Sequence, residues 1–189
     1  MADQSSRSRS KRVQAAPPDH TSPRSEAHPE LLDFSVRKAR EADAEGILAC
    51  LLAAFQPYEL SYTPAAYADT VLTLATLKQR MKSMCVLVAV DGANHVLGTI
   101  ACVPTEHNEG HLRGMAVLPE RHGCGIADQL LQAAEHELRR RGCSRVTLNT
   151  TEPLKRAVRF YERNGFQPSG RGNNFFGMPL CKFIKDLLE

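Results

Sequence analysis

The stretch from His111 to Asn149 restricts the fold more than any other part of the chain. It reads "HLRGMAVL", then the turn "PERHGCG", then "IADQLLQAAEHELRRRG", then "SRVTLN". The first and last of these are apolar and strand-like. Between them the periodicity predicts a helix over Gly125–Arg141, with Ile126, Leu130, Leu131, Ala134 and Leu138 on one side. Arg139, Arg140 and Arg141 suit its negative dipole end, and Gly142 can supply a left-handed cap. A strand, a helix and a strand in one sheet make a parallel, right-handed crossover. The chain must therefore build a sheet with a parallel pair covered by a helix.

The remaining segments add antiparallel strands. "MCVLVAV" (Met84–Val90) and "VLGTIACV" (Val96–Val103) flank "DGANH", whose Asp-Gly pair signals a hairpin. "FSVRKAR" (Phe34–Arg40) alternates apolar and basic residues, as a strand does. Asp43 is expected to cap a helix running to about Phe55, with Ile47, Leu48, Leu51 and Leu52 at helical spacing. "PYELSYTP" breaks that helix, and a second is predicted from about Ala65 to Lys82. Pro153 is expected at the first position of a further helix carrying Leu154, Ala157, Val158 and Tyr161, ended by Gly165. "FQPSG" and "FFGMPLCKFI" read as a closing pair of strands. The fold class is α+β: one domain over 34–189, with a mixed, mostly antiparallel central sheet and helices on both faces.

Composition narrows the function classes. No run of about 18 apolar residues exists, so no membrane span is expected. The net charge of +3 suits an anionic small ligand as well as nucleic acid. Cys50, Cys85, Cys102, Cys124, Cys143 and Cys181 form no C-x-x-C pair and no zinc spacing, so a reducing cytoplasm, no disulfides and no metal are expected. Residues 1–33 hold "SSRSRSKR" and "AAPPDHTSPRSEAHPE" and are expected to form a disordered Ser/Arg/Pro-rich tail. A basic arm for nucleic acid is the sharper alternative, and a transit peptide is disfavoured by the prolines and by Asp3, Asp19 and Glu26.

The glycine turn carries the chemistry. The first turn of a helix has unpaired N–H groups and the positive dipole end. Gly123 and Gly125 let an anion approach that backbone, as a phosphate or pyrophosphate would. Arg121 and His122 add donors nearby. Neither G-x-x-x-x-G-K-[ST] nor G-x-G-x-x-G is present, which excludes a P-loop and disfavours a dinucleotide Rossmann site.

"MAVLPERHGCGIADQLL" resembles the coenzyme A loop of the GNAT superfamily of acetyl-CoA-dependent N-acetyltransferases. His122, Gly125 and Ala127 fall on its [RQ]-x-x-G-x-[GA] pattern, with His in the place of Arg or Gln. "AVRFYERNGFQ" (Ala157–Gln167) is similar to the family's "A-x-x-x-Y-x-x-x-G-F" helix end, although Leu154 stands where Asn is usual. The resemblance spans about Phe34 to Ile184. It implies a GNAT-like fold and acetyl-CoA as cosubstrate. Two strands splay, and the pantetheine arm pairs with Met115 and Val117 on either side of Ala116. The pyrophosphate rests on the amides of Gly123, Cys124, Gly125, Ile126 and Ala127, with His122 at the loop's start.

The same resemblance implies roles in catalysis. Tyr161 becomes the acid at the leaving thiolate; its ordinary pKa near 10 keeps it protonated. His111 opens the strand before the loop and is the candidate base, with Glu106, His107 and Glu109 just ahead of it. Asn149 and Thr150 end the strand across the gap and could orient the acetyl group or amine, or cap the next helix. Cys124 as a covalent nucleophile lacks an adjacent base partner, so direct attack in a ternary complex is preferred. The acceptor is expected to be a small-molecule or peptide amine held by the first two helices, "FQPYELSYTPAAY" and the last hairpin with "GRGNNFFGM". Tyr58, Tyr62, Tyr67, Phe175 and Phe176 could line its pocket, and Glu59 and Asp69 could attract a cation. The protein is expected to be a monomer or homodimer. The other classes are a non-catalytic acyl-CoA-binding regulatory module and a nucleic-acid partner acting through the basic tail.

Overall fold

A computed structural model describes residues 33–171 and 174–187. The expected tail over residues 1–33 lies outside them, apart from Asp33. In chain order the elements are β1 (Phe34–Lys38), α1 (Ala44–Phe55), α2 (Pro64–Thr70), α3 (Leu74–Ser83), β2 (Cys85–Asp91), β3 (Val96–Pro104), β4 (Glu109–Val117), α4 (Ile126–Arg140), β5 (Arg145–Thr151), α5 (Lys155–Arg163), β6 (Gln167–Arg171) and β7 (Leu180–Asp186). The strands form one seven-stranded sheet in the order β1-β2-β3-β4-β5-β7-β6. Among the described residues only the β4–β5 pair is parallel. The crossover through α4 and the mostly antiparallel sheet match the sequence reading.

The period of two in the strands builds two cores. Leu87 and Ala89 pack with Leu130, Leu131, Ala134 and Leu138 of α4. Val86, Val88 and Val90 pack with Ile47 and Leu51 of α1 and Leu77 of α3. β2 is therefore buried on both faces, which is why it reads as an unbroken apolar run. Cys50, Cys85, Cys102 and Cys143 are buried and fill these cores as small apolar groups. Among the described residues, no helix is long and apolar enough to cross a membrane.

Three local expectations are corrected. The helix expected over Ala65–Lys82 is two helices, broken where Leu72 takes a φ of 42°. Thr73 restarts the chain: its Oγ1 accepts from the Thr76 N–H at 3.3 Å, and its own N–H donates to Thr76 Oγ1 at 2.8 Å. A hydroxyl serving as a cap outweighs helix continuation there. Asp43 stands at the N-cap position of α1, but its side chain makes no cap hydrogen bond there. Its carboxylate accepts from Arg37 at 2.7 and 2.9 Å and from the Arg40 N–H at 2.6 Å, which ties β1 to the helix start. Pro153 stands before α5 rather than in it; its carbonyl accepts from the Lys155 N–H at 3.0 Å in the turn leaving β5.

Candidate active site

β4 and β5 pair only from Glu109–Arg145 to Leu112–Leu148. Beyond that, β4 continues to Val117 and β5 to Thr151 without pairing to each other. A bulge turns β4 away. Thr99 faces Ala116 and Ala101 faces Arg113, which leaves Gly114 and Met115 opposite the single Ile100. Gly114 takes a φ of 62°, a conformation that favours glycine. The strands open into a cavity of about 1030 Å³. Gly123, Gly125 and Ala127 line one end; Phe55, Tyr58 and Tyr62 line the other.

The bulged edge presents backbone donors to the gap. The Leu118 N–H donates to Leu97 of β3 at 2.9 Å. Alternation along a strand then turns the Val117 and Met115 N–H groups the opposite way, toward the gap. The Ala116 side chain is buried on the α1 side, so only its backbone borders the cavity.

In the loop, Gly123 and Gly125 have φ values of 86° and 78°. A Cβ on either would meet nothing within 4 Å, so space in front of these amides is open. Gly125 caps α4 without any side-chain bond, leaving the first-turn N–H groups free for an anion. The Ile126 side chain is buried in the core, and only its amide belongs to the loop's donor set. Cys124 is exposed and does not line the cavity.

His122 has both ring nitrogens engaged. Nε2–H donates to the Val117 carbonyl at 3.0 Å, and Nδ1 accepts from Arg156 Nη1 at 2.8 Å. It thus pins the loop to β4 and sets the Arg156 guanidinium beside the glycines. Sequence reading missed Arg156. A signal was present: α5 begins with Lys155 and Arg156 and has no acid in its first turn, the wrong sign for its dipole unless an anion binds there.

Tyr161 of α5 is buried in the cavity wall, its ring edge-on to Phe160 and Phe166. Its Oη donates to Met115 Sδ at 3.4 Å. A thioether is a weak acceptor, so this proton is readily given to a better one. Burial raises the phenol pKa above its ordinary value, and the group stays protonated at working pH. Thr150 also lines the cavity, and its buried Oγ1 has no partner among the described residues. A buried orphan hydroxyl in a cavity wall fits a polar ligand group.

His111 lies on the opposite face of β4. Its Nδ1 is 3.1 Å from Thr147 Oγ1, whose own hydrogen goes to the Gly110 carbonyl at 3.1 Å. The hydroxyl oxygen must therefore accept from Nδ1–H, which leaves Nε2 with a free lone pair. Burial, then the charges of Arg113 and Lys182, push the His111 pKa below its ordinary value. The ring is neutral at pH 7 and can accept a proton. Asn149 lines the cavity, makes no side-chain hydrogen bond among the described residues, and does not cap α5, whose cap residue is Leu154.

The far end is aromatic. Phe55 packs on Tyr58 and Tyr62, and Tyr62 Oη lies 2.6 Å from Thr151 Oγ1, joining this wall to β5. Phe175 also lines it, whereas Tyr67, Phe176 and Glu59 do not. Asp69 does line the cavity, but Arg113 is bonded to it. Its charge is not free for a cationic amine, contrary to the sequence expectation.

The chain is 35% identical over 83 residues to N-alpha-acetyltransferase 30 of Schizosaccharomyces pombe, a match covering 42% of this chain and 55% of that protein. The chain thus spans little more than half the length of that relative. Its fold is similar to that of the PaiA N-acetyltransferase of Thermoplasma acidophilum in complex with coenzyme A (TM-score 0.69, 17% identity, 82% of this chain and 99% of that one). It is also similar to a chain of the NatC complex bound to Gag peptide and CoA (TM-score 0.65, 20% identity, 82% and 99% covered). Residues 47–166, more than half of the chain, match the acetyltransferase (GNAT) family, and the chain belongs to that family.

Proposed function

We propose that the protein transfers the acetyl group of acetyl-CoA to a primary amine of a small molecule or peptide, by direct attack within a ternary complex. The observation that carries this reading is the continuous cavity through the β4–β5 gap. It joins a loop of free amide donors on one face of the sheet to a neutral histidine and an aromatic wall on the other. The names of the relatives support an α-amine acceptor and a peptide.

Acetyl-CoA supplies a thioester, whose carbonyl accepts an amine's lone pair and whose sulfur leaves as a thiol. The open glycine loop, the gap-facing amides and the orphan Thr150 hydroxyl fit such a molecule. The amides from Gly123 to Ala127, together with Arg156, would bind the diphosphate. The Met115 and Val117 N–H groups would hold the arm as an added strand is held. Tyr161 Oη would donate at the sulfur. His111 Nε2 would take the proton from the incoming amine, directly or through a water, and Asn149 would orient it. Holding amine and thioester together is worth up to roughly 7–11 kcal/mol in model reactions.

Initial rates of thiol release, with acetyl-CoA and a peptide acceptor both varied, are expected to give intersecting double-reciprocal lines. Parallel lines would mean a covalent acyl-enzyme and contradict direct attack. In the same assay, kcat/KM is expected to fall as acid protonates His111, along a limb lying below about pH 6.5 because the ring's pKa is lowered. His111→Gln should remove that limb; an unchanged limb would exclude His111 as the base.

A further inference from the structure

We propose that the acceptor end of the cavity binds a carboxylate carried by the acceptor next to its reacting amine, with Arg80 as the main partner and Arg113 beside it. This rests on the acceptor occupying the His111 face, as proposed above, and narrows the kind of amine that fits there.

α3 lays Arg80 against the bulge of β4. A Cβ at Gly114 would stand 2.6 Å from Arg80 Nη1, so the guanidinium rests on backbone that only glycine leaves bare. Arg80 lines the cavity. Among the described residues its side chain makes one hydrogen bond, from Nη2 to the Asp69 carbonyl at 3.4 Å, at the outer limit for such a bond. A guanidinium has five N–H donors, so most of this one's capacity is unspent. Burial, with the like charge of Arg113, lowers its pKa to about 10, which still leaves it charged at neutral pH.

The surrounding charges do not neutralise it. Asp69 and Asp128 are the only acids lining the cavity among the described residues. Asp69 is bonded to Arg113. Asp128 sits at the α4 end and accepts from Asn164 at 3.3 Å. Lys182 adds positive charge near His111. Two arginines therefore share one carboxylate where the acceptor must sit. A partly buried cation with free donors is costly to leave unpaired, and an Arg–carboxylate pair offsets that cost. The same surplus repels polyamines. Arg113 lies two residues beyond His111 on the same face of β4, about 6.6 Å along the strand. That spacing suits a carboxylate a few bonds from the amine: the α-carboxylate of a free amino acid, or an acidic side chain at the start of a peptide.

The test is calorimetric titration of the full chain, saturated with coenzyme A, using two matched pairs. One pair is leucine and leucinamide; the other is Asp-Ala-Ala-Ala-amide and Asn-Ala-Ala-Ala-amide. In at least one pair the carboxylate member is expected to bind about tenfold tighter. The pair that shows the preference identifies the source of the carboxylate. Arg80→Gln is expected to bring the ratio within about twofold, and Arg80→Lys to retain part of it. Equal binding within both pairs of the unmodified protein, no binding of any member, or a ratio that survives Arg80→Gln would overturn the proposal. The unmodified protein alone can refute it even if a variant does not fold. Repeating the titration mixtures with acetyl-CoA separates the two readings. A carboxylate preference without thiol release contradicts acetyl transfer and leaves the carboxylate site standing. Thiol release without the preference does the reverse.

Discussion

Replacing Gly125 with Asp is expected to raise the dissociation constant for coenzyme A about 100-fold or more. Gly125 sits at a φ of 78°, and its missing side chain leaves open space in front of the loop amides. A carboxylate there would face the diphosphate. Like charges at about 4 Å repel by about 4 kcal/mol at an effective dielectric of 20, and a 100-fold loss needs about 2.7 kcal/mol. Gly125→Asn is the control: Asn tolerates a left-handed backbone about as well as Asp but carries no charge. It is expected to lose less than about tenfold, because it brings bulk and mild strain alone. Calorimetry on the two variants isolates the charge. Asp binding as tightly as Asn would show that no phosphate rests on this loop.

Tyr161→Phe is expected to lower kcat by about 10²–10³, within the range for a positioned acid, while acetyl-CoA affinity changes less than about threefold. The substitution removes one hydroxyl whose only partner among the described residues is the Met115 thioether. It keeps the ring between Phe160 and Phe166, so the cavity wall should stand. Stopped-flow turnover and equilibrium binding of acetyl-CoA read the two effects separately. Parallel losses in both would mark Tyr161 as a packing residue. No loss in kcat would remove it from the chemistry.

Much of this architecture was legible because short-range rules agreed with the long-range fold. The strand, glycine turn and amphipathic helix from His111 to Arg141 carried their own periods and caps, and the sheet added nothing that contradicted them. The break at Leu72 was not legible. A threonine hydroxyl can cap a helix or point to solvent with the same sequence; here Thr73 caps α3, whose Leu77 packs with Val86 and Val88 of β2. Asp43 does stand at the helix start, but its carboxylate turns to Arg37 on another element, a partner that local sequence cannot show.

The candidate site divides the same way. The loop glycines and Tyr161 lie within local motifs, so their places could be read. The bulge at Gly114 depends on register with β3, and the His122–Arg156 bond joins the loop before α4 to the start of α5. Thr147 fixes the tautomer of His111 only because the parallel pairing sets β5 beside β4. Arg80 reaches the same cavity from a helix that the sequence pattern had fused with its neighbour. Each of these is a contact between distant segments, which no local period records.

The most direct measurement is the crystal structure of the full chain soaked with coenzyme A. The diphosphate is expected on the amides of residues 123–127 beside Arg156, with the arm in the β4–β5 gap and the sulfur next to Tyr161 Oη. A coenzyme seated elsewhere, or a loop closed over by the protein's own side chains, would contradict acetyl transfer at this site.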